Sequence, residues 1–256
     1  MSRHSSVIPE CRLGEYVNNG DDPEVTVAVV DGSHPEPLDS MVRKLFENQP
    51  VEVTDGGAEF DDDSLVLLRD GEVVASSPIE ALSETVLLVN SDLYTTGAVG
   101  LEEARLPDVI AELSGTAFDV RGYPESSYEK VPLILISRHI ELLSYRNGGT
   151  HRASFQMLSR IDRESGTREV YDRLGSSEAE THVYGFPDRI PPKELGLKVH
   201  AGHGTDYTST WFVVHTSGTE SAALVAVETA HNEWRGRWTF DSEEVAGIEE
   251  KIREHY

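Results

Sequence analysis

Cysteine is almost absent from this chain. Cys11 is its only one, so neither a disulfide within the chain nor a thiolate zinc cluster can form. Lysine is scarce too, at five against seventeen arginines, and 22 basic residues face 46 acidic ones for a net charge of −24. Such a chain repels itself in dilute salt, whereas at molar salt a screening length of about 3 Å removes most of that repulsion. The charge fits a saline cytoplasm such as a haloarchaeon's, or an acidic face for a basic partner. It argues against direct nucleic-acid binding, which needs clustered cations. In the richest basic stretch, Arg160, Arg163, Arg168 and Arg173 alternate with Asp162, Glu164, Glu169 and Asp172. Long apolar runs are missing as well: 131–136 and 222–227 are of core length, far below the roughly 20 residues of a membrane helix. Pro9, Glu10 and Arg12 interrupt any secretory signal pattern. These absences predict a soluble cytoplasmic protein with no membrane contact. A Gly-x-Ser-x-Gly elbow is also lacking, as are the nucleotide-binding glycine motifs of histidine kinases and a cyclase signature, so a non-enzyme is expected.

What is present reads as α+β: mixed sheets covered by helices, with a polar arm over 1–23, an α/β region over 24–125 and an α+β domain over 126–256. The run from Val25 to Val30 suits a strand covered on both faces, and Leu38, Met41, Val42, Leu45 and Phe46 mark an amphipathic helix. With Val51-Glu52-Val53 these make a βαβ unit. Asp70-Gly71 between two apolar runs signals a hairpin. Pro78 opens a helix bearing Ile79, Leu82, Val86, Val89 and Leu93, stopped at 96–100. Leu106-Pro107-Asp108 opens another, followed by a strand at 116–120 and a turn at 122–125. A long helix over 130–146 aligns Leu133, Ile136, Ile140 and Leu143 and ends at Gly148-Gly149. A second helix around 153–160 would present Phe155, Leu158 and Ile161. A third, capped by Thr167, would present Val170, Tyr171 and Leu174. Strands at 182–184, 197–200, 210–215, 222–229 and 234–240 precede a last helix started by Asp241 with Glu244.

Several pieces recur in one order: Ser137-Arg138-His139-Ile140-Glu141, the Phe155-Gln156 segment through Ser159-Arg160, Tyr171 with Leu174, Val183-Tyr184-Gly185 with Pro187-Asp188, Trp211-Phe212-Val213-Val214, and 224–228. This series, about two-fifths of the chain, resembles the DICT sensory domain family, named for diguanylate cyclases and two-component systems. Residues 90–97 and 120–124 resemble the leading segment of haloarchaeal members. The resemblance implies an α+β sensor joined to a signalling output such as a histidine kinase, with a proposed link to light responses. It names no cofactor and no ligand residue. Many members carry Gly where Ser154 stands and an acidic residue where Thr210 stands.

The candidate pocket residues are Arg138, Glu141, Phe155, Gln156, Ser159, Tyr184 and Trp211. Arg138 and Glu141 at i and i+3 point from one side of the helix, as a surface ion pair or as a pocket wall. Gln156 could read a ligand carbonyl or cap a strand edge. Trp211 could fill the core or line a cavity, and Phe155 suits the core. A small ligand, a signalling partner, or a second copy docked through the 133–143 stripe are the expected partners. The histidines at 182–215 offer no fixed metal geometry, so no metal is assigned, and a metal-dependent enzyme using them is the weakest alternative. Asp31-Gly32-Ser33 lacks a phosphate fingerprint.

Overall fold

The computed structural model describes residues 11–18, 25–30, 36–47, 49–57, 60, 63–82, 106–121 and 129–256. Val86, Val89, Leu93, the Asp31-Gly32-Ser33 turn, the 96–100 stop and the 122–125 turn lie outside them. The fold is α+β, with a four-stranded and a seven-stranded mixed sheet, each packed against helices.

The smaller sheet is built as its sequence predicts. Strand β1 (Val25–Val29), helix α2 (Glu36–Leu45) and strand β2 (Glu52–Asp55) form a βαβ unit with β1 and β2 parallel. Strands β3 (Ser64–Arg69) and β4 (Glu72–Pro78) form the hairpin, giving the order β2-β1-β3-β4. Asp70 and Gly71 both have positive φ, 52° and 79°, as a tight primed turn requires. Helix α3 (Asp108–Glu112) buries Val109 and Ile110, and its Val109 N–H donates to Ser77 Oγ on β4.

The larger sheet has the order β5-β11-β10-β9-β6-β7-β8. Its strands are β5 (Phe118–Arg121), β6 (Gly149–Met157), β7 (Ala179–Phe186), β8 (Lys198–Ala201), β9 (Thr210–Thr216), β10 (Ser221–Ala230) and β11 (Glu233–Thr239). β5 pairs with β11 and so joins this sheet although it precedes residue 125 in sequence. Helix α4 (Val131–Asn147) covers one face, burying Leu133, Ile136 and Ile140. The stripe offered as a dimer surface is therefore spent on the core of its own chain.

The predicted second helix at 153–160 is a correction: the segment is β6, a central strand parallel to β7 and antiparallel to β9. Phe155, Leu158 and Ile161 are spaced like a helix face, but only Phe155 lies on the strand. Leu158 sits in the turn beyond it and Ile161 in the short helix α5 (Arg160–Arg163). Pairing on both flanks supplies backbone hydrogen bonds that override the local periodicity. Helix α6 (Ser165–Gly175) buries Val170, Tyr171 and Leu174 as expected, but Thr167 is inside its first turn and is not the cap; its hydroxyl donates to Glu164 Oε2.

The short helix α7 (Thr205–Thr208) precedes β9, and the other sheet face is covered by helix α8 (Ser242–His255) and the one-turn α1 (Gly14–Asn18). Part of the polar arm thus belongs to the core, with Leu13 and Val17 buried against Val225, Val245 and Ile248. Asp241 caps α8 as predicted, its carboxylate accepting from the Glu243 and Glu244 N–H groups. Asp241→Ala is expected to cost about 1 kcal/mol, read as a lower urea midpoint with an unchanged slope. Among the described residues no helix is long and apolar enough to cross a membrane.

Candidate functional site

The first half of α4 forms one wall of a pocket. Between it, the start of α6, strands β6 and β9 and the β10–β11 turn is a cavity of about 780 Å³. That is within the range of pockets that hold small organic ligands. Alternation along β9 sends Trp211 and Val213 to the cavity side and Phe212 and Val214 to the opposite cluster.

Of the seven sequence candidates, five line this cavity: Arg138, Glu141, Phe155, Gln156 and Trp211. Arg138 Nη1 donates to Glu141 Oε2 at 2.9 Å, and Glu141 is buried, so the pair is a wall and not a surface contact. Phe155 meets the Tyr171 ring edge to face at 4.9 Å. Gln156 is the strand cap: its Nε2 donates to the Thr210 carbonyl at 2.8 Å, and its Oε1 accepts from Arg160 at 2.7 Å. It has φ 49° at the irregularity in the β6–β7 register between Ser154 and Met157. Ser154 does related work, donating to the Thr210 carbonyl and accepting from the Phe212 N–H.

The other two candidates lie elsewhere. Tyr184 is on the opposite sheet face, its hydroxyl accepting from Arg152 and its ring stacked on His200 at 4.3 Å. A two-residue alternation away from Val183 foretells that orientation. Ser159 precedes α5 and ties the β6 and β7 ends together. Its N–H donates to Asp188, and its hydrogen bonds hold that carboxyl below the usual range.

The sequence reading passed over Lys130, Ser137, Arg160, Tyr171 and Trp234 as lining residues. Ser137 is findable, since it shares a helix face with Glu141 at i and i+4. It is buried, and its hydroxyl has no hydrogen-bond partner among the described residues. Lys130 is half-buried at the start of α4; burial, and then the Arg160 charge, push its ammonium pKa down.

A buried polar chain leads from this wall into the protein. Tyr171 lines the cavity, and its hydroxyl has two competing neighbours, the Glu141 carboxylate and His151 Nε2 at 3.1 Å. Burial, and then Glu141, raise the phenol well above its ordinary range. His151 Nδ1 lies 2.8 Å from Ser144 Oγ, and His215 Nδ1 lies 3.1 Å from the same oxygen. Ser144 donates to the Ile140 carbonyl. Having one proton and two lone pairs, it satisfies all three contacts only when both imidazoles carry hydrogen on Nδ1. His151 Nε2 is then an acceptor for Tyr171, and His215 Nε2 is a buried acceptor with no partner among the described residues. Burial, with His215 and His182 nearby, drives the His151 pKa down to about 3. His151 and His215 face each other across β6 and β9, a pairing invisible until the strand register is known.

The histidines named for a metal are dispersed. His182 and His200 bond to each other at 2.8 Å, His182 also to Glu180, and His203 meets the Phe186 ring. Among the described residues no group of three or more His, Cys, Asp or Glu side chains is arranged to hold a metal ion.

No protein-family model matches the chain, and no curated protein matches it. Among solved structures it is similar to TrmBL2, an archaeal chromatin protein described with a novel mode of DNA binding. That match has 11% identity and a TM-score of 0.33, covering 69% of this chain and 60% of that one. It is also similar to a polyphosphate kinase from Porphyromonas gingivalis, at 11% identity and a TM-score of 0.39, covering 88% of this chain and 34% of that one. The chain thus spans less than two thirds of either protein, and likeness this slight carries no functional argument.

Proposed function

We propose that this protein is a signal-input module of DICT type: the cavity beside α4 takes a small ligand, and its occupancy is passed to a signalling output such as a histidine kinase. The observation that carries this reading is the cavity itself, lined by five of the residues singled out from the motif series. A site filled by side chains would have left no room for a receptor role. Transmission requires that the ligand favour one arrangement over another. Arg138 and Tyr171 supply such an element. A ligand group that engages Arg138 loosens its hold on Glu141, and the freed carboxylate competes better for the Tyr171 proton. That proton is otherwise directed to His151, which ties α6 to β6 and, through Ser144, to α4.

The test is a thermal-shift screen of metabolites, nucleotides and flavins in molar salt, with a visible absorption spectrum of the natively expressed protein. A ligand at a hundred times its Kd is expected to stabilise the fold by about 2.7 kcal/mol, several degrees in melting temperature. Tyr171→Phe should still bind it but fail to alter the partner's output. No stabilisation by any compound and no bound chromophore would count against the reading.

A further inference from the structure

The charges around the cavity are not evenly satisfied. Each carboxylate of its wall is engaged within the protein: Glu141 by Arg138, Glu164 by the Thr167 hydroxyl, Glu228 by the Asn232 N–H. Of the cations, Arg138 is held by Glu141, whereas the Lys130 ammonium makes no hydrogen bond or ion pair among the described residues and Arg160 spends one N–H on the neutral Gln156 amide. Both line the cavity, and the Arg160 charge, after burial, helps push the Lys130 ammonium pKa down. Like charges on one cavity wall, Lys130 half-buried and Arg160 exposed, disfavour the empty site, and an anion that reaches both converts that repulsion into charge-assisted bonds. The wall also includes the first turn of α4, whose N-terminal end adds to the positive potential. In the same wall the buried Ser137 hydroxyl has no hydrogen-bond partner among the described residues. Phe155, Trp211 and Trp234 add broad aromatic surfaces to the lining. In a chain of net charge −24 with five lysines, a cationic rim on a cavity is not what composition alone would place there.

We infer that the ligand is a small organic anion, a flat ring system bearing one carboxylate or phosphate, held by Lys130 and Arg160 at the rim with its ring against Trp211 and Trp234. This deepens the receptor reading above and rests on it. A cavity of about 780 Å³ admits a ligand from the size of an indole acid to that of a flavin mononucleotide.

Two matched pairs test it by isothermal titration in molar potassium chloride: indole-3-acetate against indole-3-acetamide, and flavin mononucleotide against riboflavin. At least one anion is expected to bind tenfold or more tightly than its neutral partner, and the pair that shows this identifies carboxylate or phosphate. Lys130→Met should remove that advantage while leaving the neutral compound's affinity unchanged, and Lys130→Arg should restore it. The melting temperature of each unliganded variant controls for folding. Equal affinity of anion and neutral partner, or an advantage that survives in Lys130→Met, overturns the anion assignment and leaves the receptor reading standing. Absence of binding by all four compounds, in wild type and variants alike, overturns both.

Discussion

Acidification from about pH 7.5 to about pH 5 is expected to destabilise this protein by about 1.4 kcal/mol per pH unit below 6.5 through His151 alone. The ordinary imidazole value is 6.5, and in the fold it is pushed down to about 3. Between those two values the unfolded chain binds a proton that the native chain refuses, so stability falls as pH falls. Above 6.5 neither state is protonated and the contribution is complete. His139, His182, His200 and His215 are shifted the same way, with burial the leading cause for each, and they steepen the slope. Glu180, held down to about 2 by Lys198 and His182, adds to the loss chiefly as pH falls below its ordinary value of 4.5, under this window. Urea midpoints measured across the window in molar salt should show the slope. In His151→Asn it should flatten by close to one proton, even though the variant is less stable at pH 7.5 for want of the Tyr171 and Ser144 bonds. An unchanged slope in that variant would show that His151 is not the buried neutral base described here.

Gly149→Ala is expected to be a strongly damaging single methyl addition at the junction of α4 and β6. Gly149 opens β6 directly after α4 and has φ 76°, where a side chain costs about 1–2 kcal/mol. A Cβ there would also stand 2.3 Å from the Thr216 carbonyl oxygen and 3.1 Å from Ser217 Cβ. Backbone cannot yield to that clash as a side chain can, so β6 and β9 must part at the end that carries His151 and His215. The loss should exceed about 3 kcal/mol, among the larger effects of point substitutions. Circular dichroism melts would show it, and ligand binding should weaken with it because α4 is anchored at this junction. Gly218→Ala, where no atom lies within 4 Å, is the control that should change little.

How much of this was legible in the residues depended on whether the signal was local. The Asp70-Gly71 hairpin, the β1–α2–β2 unit, α4 and the Asp241 cap each rest on a pattern within a few residues, and each stands in the structure. The error at β6 is of the opposite kind. The spacing of Phe155, Leu158 and Ile161 is helical, and what makes the segment a strand is pairing with β7 and β9, whose sequences lie 22 or more residues beyond it. The same reason explains the site. Arg138 and Glu141 were readable as one helix face, and Trp211 as a strand residue of uncertain side. Lys130 and Arg160 line one cavity only because the turn after β6 returns to the start of α4. The Ser144, His151 and His215 cluster joins α4, β6 and β9, so no sequence spacing could announce it.

Native mass spectrometry of the protein isolated without denaturant from a saline host tests the receptor claim most directly. One small-molecule adduct per chain is expected on the wild type, and none on Ser137→Met, whose longer side chain would occupy the cavity from the α4 wall. A wild-type chain at its bare polypeptide mass, or an adduct that persists in Ser137→Met, would contradict it.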